Sequence, residues 1–199
     1  MNKIPSALIA AALHVAPKNN VRFYLNGVLI ESHADGAIIV ATDGHRMLVV
    51  RTSLPWDIGK IIVPRNACEL VAKMKGDVYF SAVGDASRFK AERGGQAIEF
   101  AAVDGTYPDW RAVVSKPNEL KLSGFAPAVL EGVVKAAGVI RKAFGGKATS
   151  LIPVTGGDVA AMFGIGGITD PSIRCASLIV MPMRDSSYPE ALCSDALRA

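Results

Sequence analysis

Short runs of β-branched and aromatic residues dominate the chain, and three longer stretches with helical spacing interrupt them. Pro5 to Val15 is apolar on every side, the pattern of a helix that is buried or pressed against another surface. Val21 to Glu31 reads as a strand pair broken at Asn26-Gly27, a hairpin signal. The strands Ala37 to Val40 and Met47 to Thr52 flank a turn at Asp43-Gly44, where glycine takes a positive φ without a Cβ clash. After the loop Ser53 to Gly59, Ile61 to Val63 is a short strand and Pro64 opens a second helix reaching to about Lys75. Asp77 to Val83, Ser87 to Glu92 and Ala97 to Val103 read as strands divided by Gly84-Asp85 and Gly94-Gly95. The chain then turns through Asp104 to Trp110. Glu119 to Leu122 is a further strand, and Ala126 to Phe144 a third helix weakened by Gly132 and Gly138. Strands Ser150 to Thr155, Val159 to Ile165 and Ala176 to Met183 close the pattern.

The helix-opening prolines, Pro5, Pro64 and Pro127, lie about 60 residues apart, a period that marks supersecondary units packed side by side. The expected architecture is α+β: repeated strand–helix–strands units with helices on one face of antiparallel sheets. Two units would make a first domain, residues 1–115. The third would be a shortened domain, 116–184, followed by a C-terminal tail, 185–199.

Composition changes this picture in two places. Half of the 199 residues are apolar, and a mean hydropathy of +0.30 points to an apolar surface reserved for another chain or a peptide. The net charge of +4 permits a polyanionic partner without demanding one. Cys68, Cys175 and Cys193 are widely spaced and form no zinc pattern with His14, His33 or His45, which fits a reduced, cytoplasmic chain with no metal and no cofactor. The stretch from Met1 to Ala16 superficially resembles a secretory signal, but it carries one basic residue, and Pro5 fits a helix start. No other run is long enough to predict a membrane span.

Candidate chemistry is sparse. Asp43 and His45 could pair as acid and base, yet nothing nearby orients the imidazole and no nucleophile elbow is present. Gly164 to Gly167 follows a strand but opens no helix and lacks the Lys-Ser/Thr of a phosphate loop. Met181-Pro182-Met183 is either packing or part of a surface that accepts varied apolar ligands, for which methionine is suited. Arg65, Lys73 and Lys75 on the second helix and Lys135, Arg141 and Lys142 on the third are solvated charges or non-specific phosphate contacts.

Five segments in order (VRFYLNGVLIE at 21–31, VATDGHRM at 40–47, IIVPRNACEL at 61–70, VDGTYPDWRAVV at 103–114 and LIVMPMR at 178–184) resemble signature stretches of the bacterial DNA polymerase III β subunit, the sliding clamp. The resemblance is dense from Val21 to Val114, similar to the clamp's middle domain, thin from Pro117 to Ser177, and returns at the last strand. It implies the DNA-clamp fold, in which helices line the hole of a closed ring and sheets form its outer face. It also implies a non-catalytic processivity factor of DNA replication. By the same resemblance, an apolar pocket for linear peptides of polymerases or repair proteins would involve Leu25, Thr42, Gly44, His45, Arg46, Met47, Pro108, Val113, Ile179, Met181, Met183 and Arg184. Aliphatic and thioether side chains would form its floor, with a basic residue and a hydroxyl at its rim. The sequence departs from the family at Ala112, where many members are basic, at Met47, usually leucine, and in the tail beyond Arg184. The first helix carries neither lysine nor arginine.

The expected function is therefore that of a shortened sliding clamp that binds clamp-binding peptides and encircles double-stranded DNA, independent of sequence, as a homo-oligomer closed head to tail. The alternative is a decoy or adaptor that binds the same peptides without encircling DNA. Leu192 and Leu197 in the tail would fold back on the pocket.

Overall fold

The computed structural model describes residues 1–84, 87–114, 125–145, 150–155 and 160–182. The expected strand at 119–122, the tail with Leu192 and Leu197, Cys193, and two pocket candidates, Met183 and Arg184, lie outside the described residues.

Two antiparallel sheets carry the fold. The four-stranded sheet is built from β1 (Asn2–Pro5), β6 (Asp77–Ala82), β7 (Arg88–Arg93) and β8 (Gln96–Ala101), in that order. The seven-stranded sheet begins with β5 (Lys60–Val63), β2 (Val28–His33), β3 (Gly36–Thr42) and β4 (Arg46–Thr52). It continues through β11 (Ile173–Val180) and β10 (Ala161–Ile165) to β9 (Leu151–Thr155). The seam is the β4–β11 ladder, in register from Arg46↔Val180 to Val50↔Ala176, with an irregularity between Ile173 and Cys175. The sheet thus runs without a break from the N-terminal part of the chain into the C-terminal part.

Among the described residues three helices cover one face. α1 (Ser6–Leu13) lies between α2 (Arg65–Lys73) and α3 (Pro127–Phe144) and packs on β3 as well. That position explains why its sequence has no polar stripe: Leu8, Ile9, Ala11 and Ala12 are all fully buried. α3 begins with proline at its first turn and buries Val133, Ala136, Ala137, Ile140 and Phe144, the spacing of one helical face. These residues join the helix-facing side of both sheets in one large core. A smaller cluster, with Leu25, Val40, Met47, Tyr107 and Ile179, covers the opposite face of the larger sheet.

Three expectations need correction. Val21 to Glu31 is not a hairpin: Phe23–Leu25 is a 3-10 turn, and only β2 is a strand. Asn26 closes that turn by accepting from Asn20 N at 2.8 Å and donating to Asn20 O at 3.1 Å. Gly27 instead permits the close approach of β5, since a Cβ there would sit 2.5 Å from Val63 O. The first residues form β1 before α1 begins. The second helix ends at Lys73, and Lys75, at φ 50°, stands in the left-handed conformation that terminates it.

Candidate functional site

The β3–β4 turn is held by its own side chains. Asp43 Oδ1 accepts from His45 N at 2.9 Å and Arg46 N at 3.0 Å, while Thr42 Oγ1 donates to Arg46 O at 2.8 Å and accepts from Gly44 N at 3.1 Å. Gly44 has φ +93°, as an Asp-Gly turn requires. His45 O accepts from Met181 N at 2.8 Å, so the turn also fixes the end of β11.

Beside this turn lies a mainly apolar cavity of about 150 Å³. Leu25, Met47 and Ile179 are its buried lining, and Val113 (41% exposed) and Met181 (43%) stand at its mouth. Thr42, Gly44, His45, Arg46 and Pro108 complete the ten expected residues that fall among the described ones. The lining also includes Arg22, Asp109 and Trp110, which sequence reasoning passed over. The signal for the last two was the VDGTYPDWRAVV segment itself: Asp109 Oδ1 accepts from Arg111 N at 3.2 Å and starts the 3-10 turn Trp110–Val113, which stands Trp110 against the cavity.

Arg46 lines the cavity without being a free rim cation. Its Nε pairs with Asp43 Oδ2 at 3.0 Å, and its Nη1 donates to Ala128 O at 3.0 Å and Val129 O at 3.1 Å in the first turn of α3. The guanidinium thereby ties the β3–β4 turn to α3. It sits in space left by Gly132, where a Cβ would lie 1.9 Å from Nη1.

On the helix side, a polar cleft of about 590 Å³ opens over the end of α1. It brings Arg65 and Lys135 together with His14 and Lys18, and with Glu69 and Glu131. Arg65 Nη1 donates to Ala16 O and Pro17 O, each at 3.0 Å, while its Nε pairs with Glu69 at 2.9 Å. Lys135 pairs with Glu131 at 2.6 Å, which holds that carboxyl below its usual range. Partial burial, then the positive charges of Lys135, Arg46 and Arg65, push the His14 pKa down. Lys73, Lys75, Arg141 and Lys142 are exposed and lie outside this cleft.

Among the described residues no cluster of three or more His, Cys, Asp or Glu is placed to hold a metal ion. Cys68 is buried, its thiol pushed up to about 12 by that burial, whereas Cys175 is exposed. No helix of the described residues is long and apolar enough to cross a membrane.

Residues 3–109 match the family model of the DNA polymerase III beta subunit, central domain. The beta sliding clamp of Escherichia coli K12 is 30% identical over 145 residues, which cover 70% of this chain and 39% of that protein. The Vibrio cholerae beta sliding clamp is 32% identical over 137 residues, 66% of this chain and 37% of that one. The chain thus spans about two fifths of the length of these relatives. The crystal structure of the Pseudomonas aeruginosa DNA polymerase III subunit beta superposes with a TM-score of 0.64 at 20% identity, covering 92% of this chain and 66% of that one. A Bartonella birtlesii sliding clamp bound to griselimycin gives 0.64 at 16% identity, covering 92% and 65%. By the match over residues 3–109 and by its fold, the chain belongs to the DNA polymerase III β subunit, or sliding clamp, family.

Proposed function

We propose that this chain binds short linear peptides carrying apolar anchor side chains in the cavity between the β3–β4 turn and the end of β11. One observation carries the reading: residues far apart in sequence, from Leu25 to Met181, converge on one apolar cavity with a histidine and a threonine hydroxyl at its wall. Members of the family are non-catalytic processivity factors, and the cavity offers no oriented nucleophile or acid–base pair. Residues 1–115 and 116–184 would then be two clamp-like domains, with the peptide lying across their seam.

Griselimycin, found bound to the clamps of P. aeruginosa and B. birtlesii, is a ready probe, followed by Trp110 fluorescence. Val113→Asp and Met181→Ala are expected to weaken binding by about tenfold or more, since burying one such side chain is worth about 1.5–3 kcal/mol. Unchanged affinity in both variants, with folding intact, would refute the reading.

The helix-side cleft supports a second activity, sequence-independent contact with the phosphates of double-stranded DNA through Lys18, Arg65 and Lys135. The rival reading, an adaptor that holds the same peptides without encircling DNA, is favoured by α1, which has neither lysine nor arginine. Retention on circular but not on linearised DNA distinguishes the two, because only a topological clamp slides off a free end.

A further inference from the structure

The floor of the cavity beside the β3–β4 turn does not end at Ile179. Side chains two apart on a strand share a face, so Ile179, Ser177 and Cys175 of β11 lie in line on one side of the sheet. Their partners across the ladder are Met47, Val49 and Arg51 of β4. On this continuation, at the other end of the row from Met181, a second cavity of about 270 Å³ opens. It is mostly apolar, lined by Ile38, Val49, Val114, Met162 and Ser177 among others, and it is larger than the first.

The two cavities have a wall in common, since Trp110 and Ile179 line both. The 3-10 turn Trp110–Val113 presents Val113 to the first cavity and Arg111 to the second. Trp110 is held from the second side: the Arg111 guanidinium stacks 4.1 Å from the indole centroid and pairs with the carboxylate of Glu31, which is buried. A fixed aromatic divider over a continuous strand floor makes one groove of two compartments. One row of the floor is about 7 Å long, so the compartments are about 7–13 Å apart, two to four residues of an extended peptide.

The charged and aromatic polar groups of the second compartment are donors. Arg111 and Arg51 each give Nη2 to a carboxylate outside the cavity, Glu31 and Asp35, and keep further N–H groups for a guest. His33 Nδ1 accepts from Asp35 N at 3.4 Å, which leaves Nε2 as the protonated nitrogen of the ring. Trp110 Nε1 is buried and has no hydrogen-bond partner among the described residues. Among the described residues no carboxylate lines the compartment. Apolar surface ringed by donors suits a guest that brings an apolar side chain and acceptors together. We propose that the second compartment binds the continuation of the peptide seated in the first, through an apolar side chain next to an aspartate or glutamate. The inference rests on the first cavity being a peptide site and adds to it a second anchor and a preference for acidic sequence. A lysine or arginine beside that anchor would instead face two guanidinium groups.

The test selects twelve-residue peptides from a random display library on the full chain and measures their binding by calorimetry, with griselimycin as the probe of the first cavity. Selected peptides are expected to carry two apolar positions two to four residues apart, with Asp or Glu beside one of them. Cys175→Trp, which fills the second compartment, is expected to weaken such a peptide at least tenfold and to leave griselimycin unchanged, whereas Val113→Asp weakens both. Replacing the peptide's acidic residue by its amide is expected to cost at least threefold. In a Cys193→Ser background the bound peptide should slow modification of Cys175 by a thiol reagent at least tenfold, and griselimycin should not. Peptides that bind the parent and Cys175→Trp alike and leave Cys175 reactive would overturn the proposal while the first cavity stands as a peptide site. A Cys175 as unreactive as Cys68 in the free chain would overturn it too, because another part of the chain then fills the compartment. Failure of both peptides and griselimycin to bind would overturn both readings. If Cys175→Trp fails to fold, the protection of Cys175 decides alone.

Discussion

Two glycines of α3 should respond in opposite directions to the same substitution. At Gly138 an added Cβ meets nothing within 4 Å, so Gly138→Ala should gain the helix propensity difference, about 1 kcal/mol of stability. At Gly132 the same methyl lies 1.9 Å from Arg46 Nη1, 2.4 Å from its Cζ and 2.8 Å from the backbone oxygen of His14. The guanidinium has to leave, and with it the bonds to Ala128 O and Val129 O. Two bonds from a charged donor at about 1.5 kcal/mol each, less the propensity gain of about 1 kcal/mol, leave Gly132→Ala destabilised by about 2 kcal/mol. In a chain of this size that lowers the melting temperature by about 4–8 °C. The assay is urea or thermal unfolding of four proteins: the parent, Gly132→Ala, Arg46→Ala and the double variant. Once Arg46 is gone, the two bonds are no longer there to lose while the propensity term and the crowding of the His14 carbonyl stay the same, so the coupling should approach the bonds' own worth, about 3 kcal/mol. Equal stability of Gly132→Ala and Gly138→Ala, or strict additivity with Arg46→Ala, would show that Arg46 does not fasten the turn to α3.

Arg65→Ala removes the two bonds that satisfy Ala16 O and Pro17 O, so it should lower the melting temperature, whereas Lys142→Ala at an exposed site should leave it unchanged; equal melting curves would count against the capping role. A polyanion docked in the helix-side cleft should reverse the positive environment of His14, raising its pKa in an NMR titration with duplex DNA; a static value would argue against the cleft as a phosphate site. Without DNA, the depressed His14 pKa means that the unfolded chain takes up the proton first. Stability should therefore be full above about pH 6.5 and decline as pH falls below it, a decline that His14→Gln should reduce. In a Cys193→Ser background, a thiol reagent should modify Cys175 at once and Cys68 only on unfolding, since burial keeps the Cys68 thiol protonated.

The repeated strand–helix–strands pattern was legible because each helix opens at a proline, with α2 and α3 burying one apolar face and α1 apolar all round, and because the strands are β-branched runs between glycine turns. The pocket lining was legible through family resemblance and not through periodicity: nothing local in Leu25 or Ile179 announces that they meet. Trp110 was missed because its placement depends on Asp109 starting a 3-10 turn after an extended segment, a tertiary arrangement. The fastening of Arg46 to α3 was not legible because its partners, the carbonyls of Ala128 and Val129, lie more than eighty residues away. The false hairpin at Asn26-Gly27 has the same origin. A turn signal and a glycine required for close strand approach are identical in sequence and differ only in what lies across from them.

The β4–β11 seam has a consequence for how the molecule can be divided. Severed between residues 114 and 125, the N-terminal piece would display the bare edge of β4 and an uncovered flank of α1, and the described residues of the C-terminal piece, α3 with β9, β10 and β11, would lose the surfaces of α1 and β4 they pack against. Neither piece would contain the cavity beside the β3–β4 turn, whose lining comes from both. Mixed together, the pieces should regain ligand binding only to the extent that they re-zip along Arg46–Val50 and Ala176–Val180. The cavity thus works as a built-in reporter of fragment complementation, and recovered griselimycin binding would measure how much of the fold's cohesion resides in one backbone ladder.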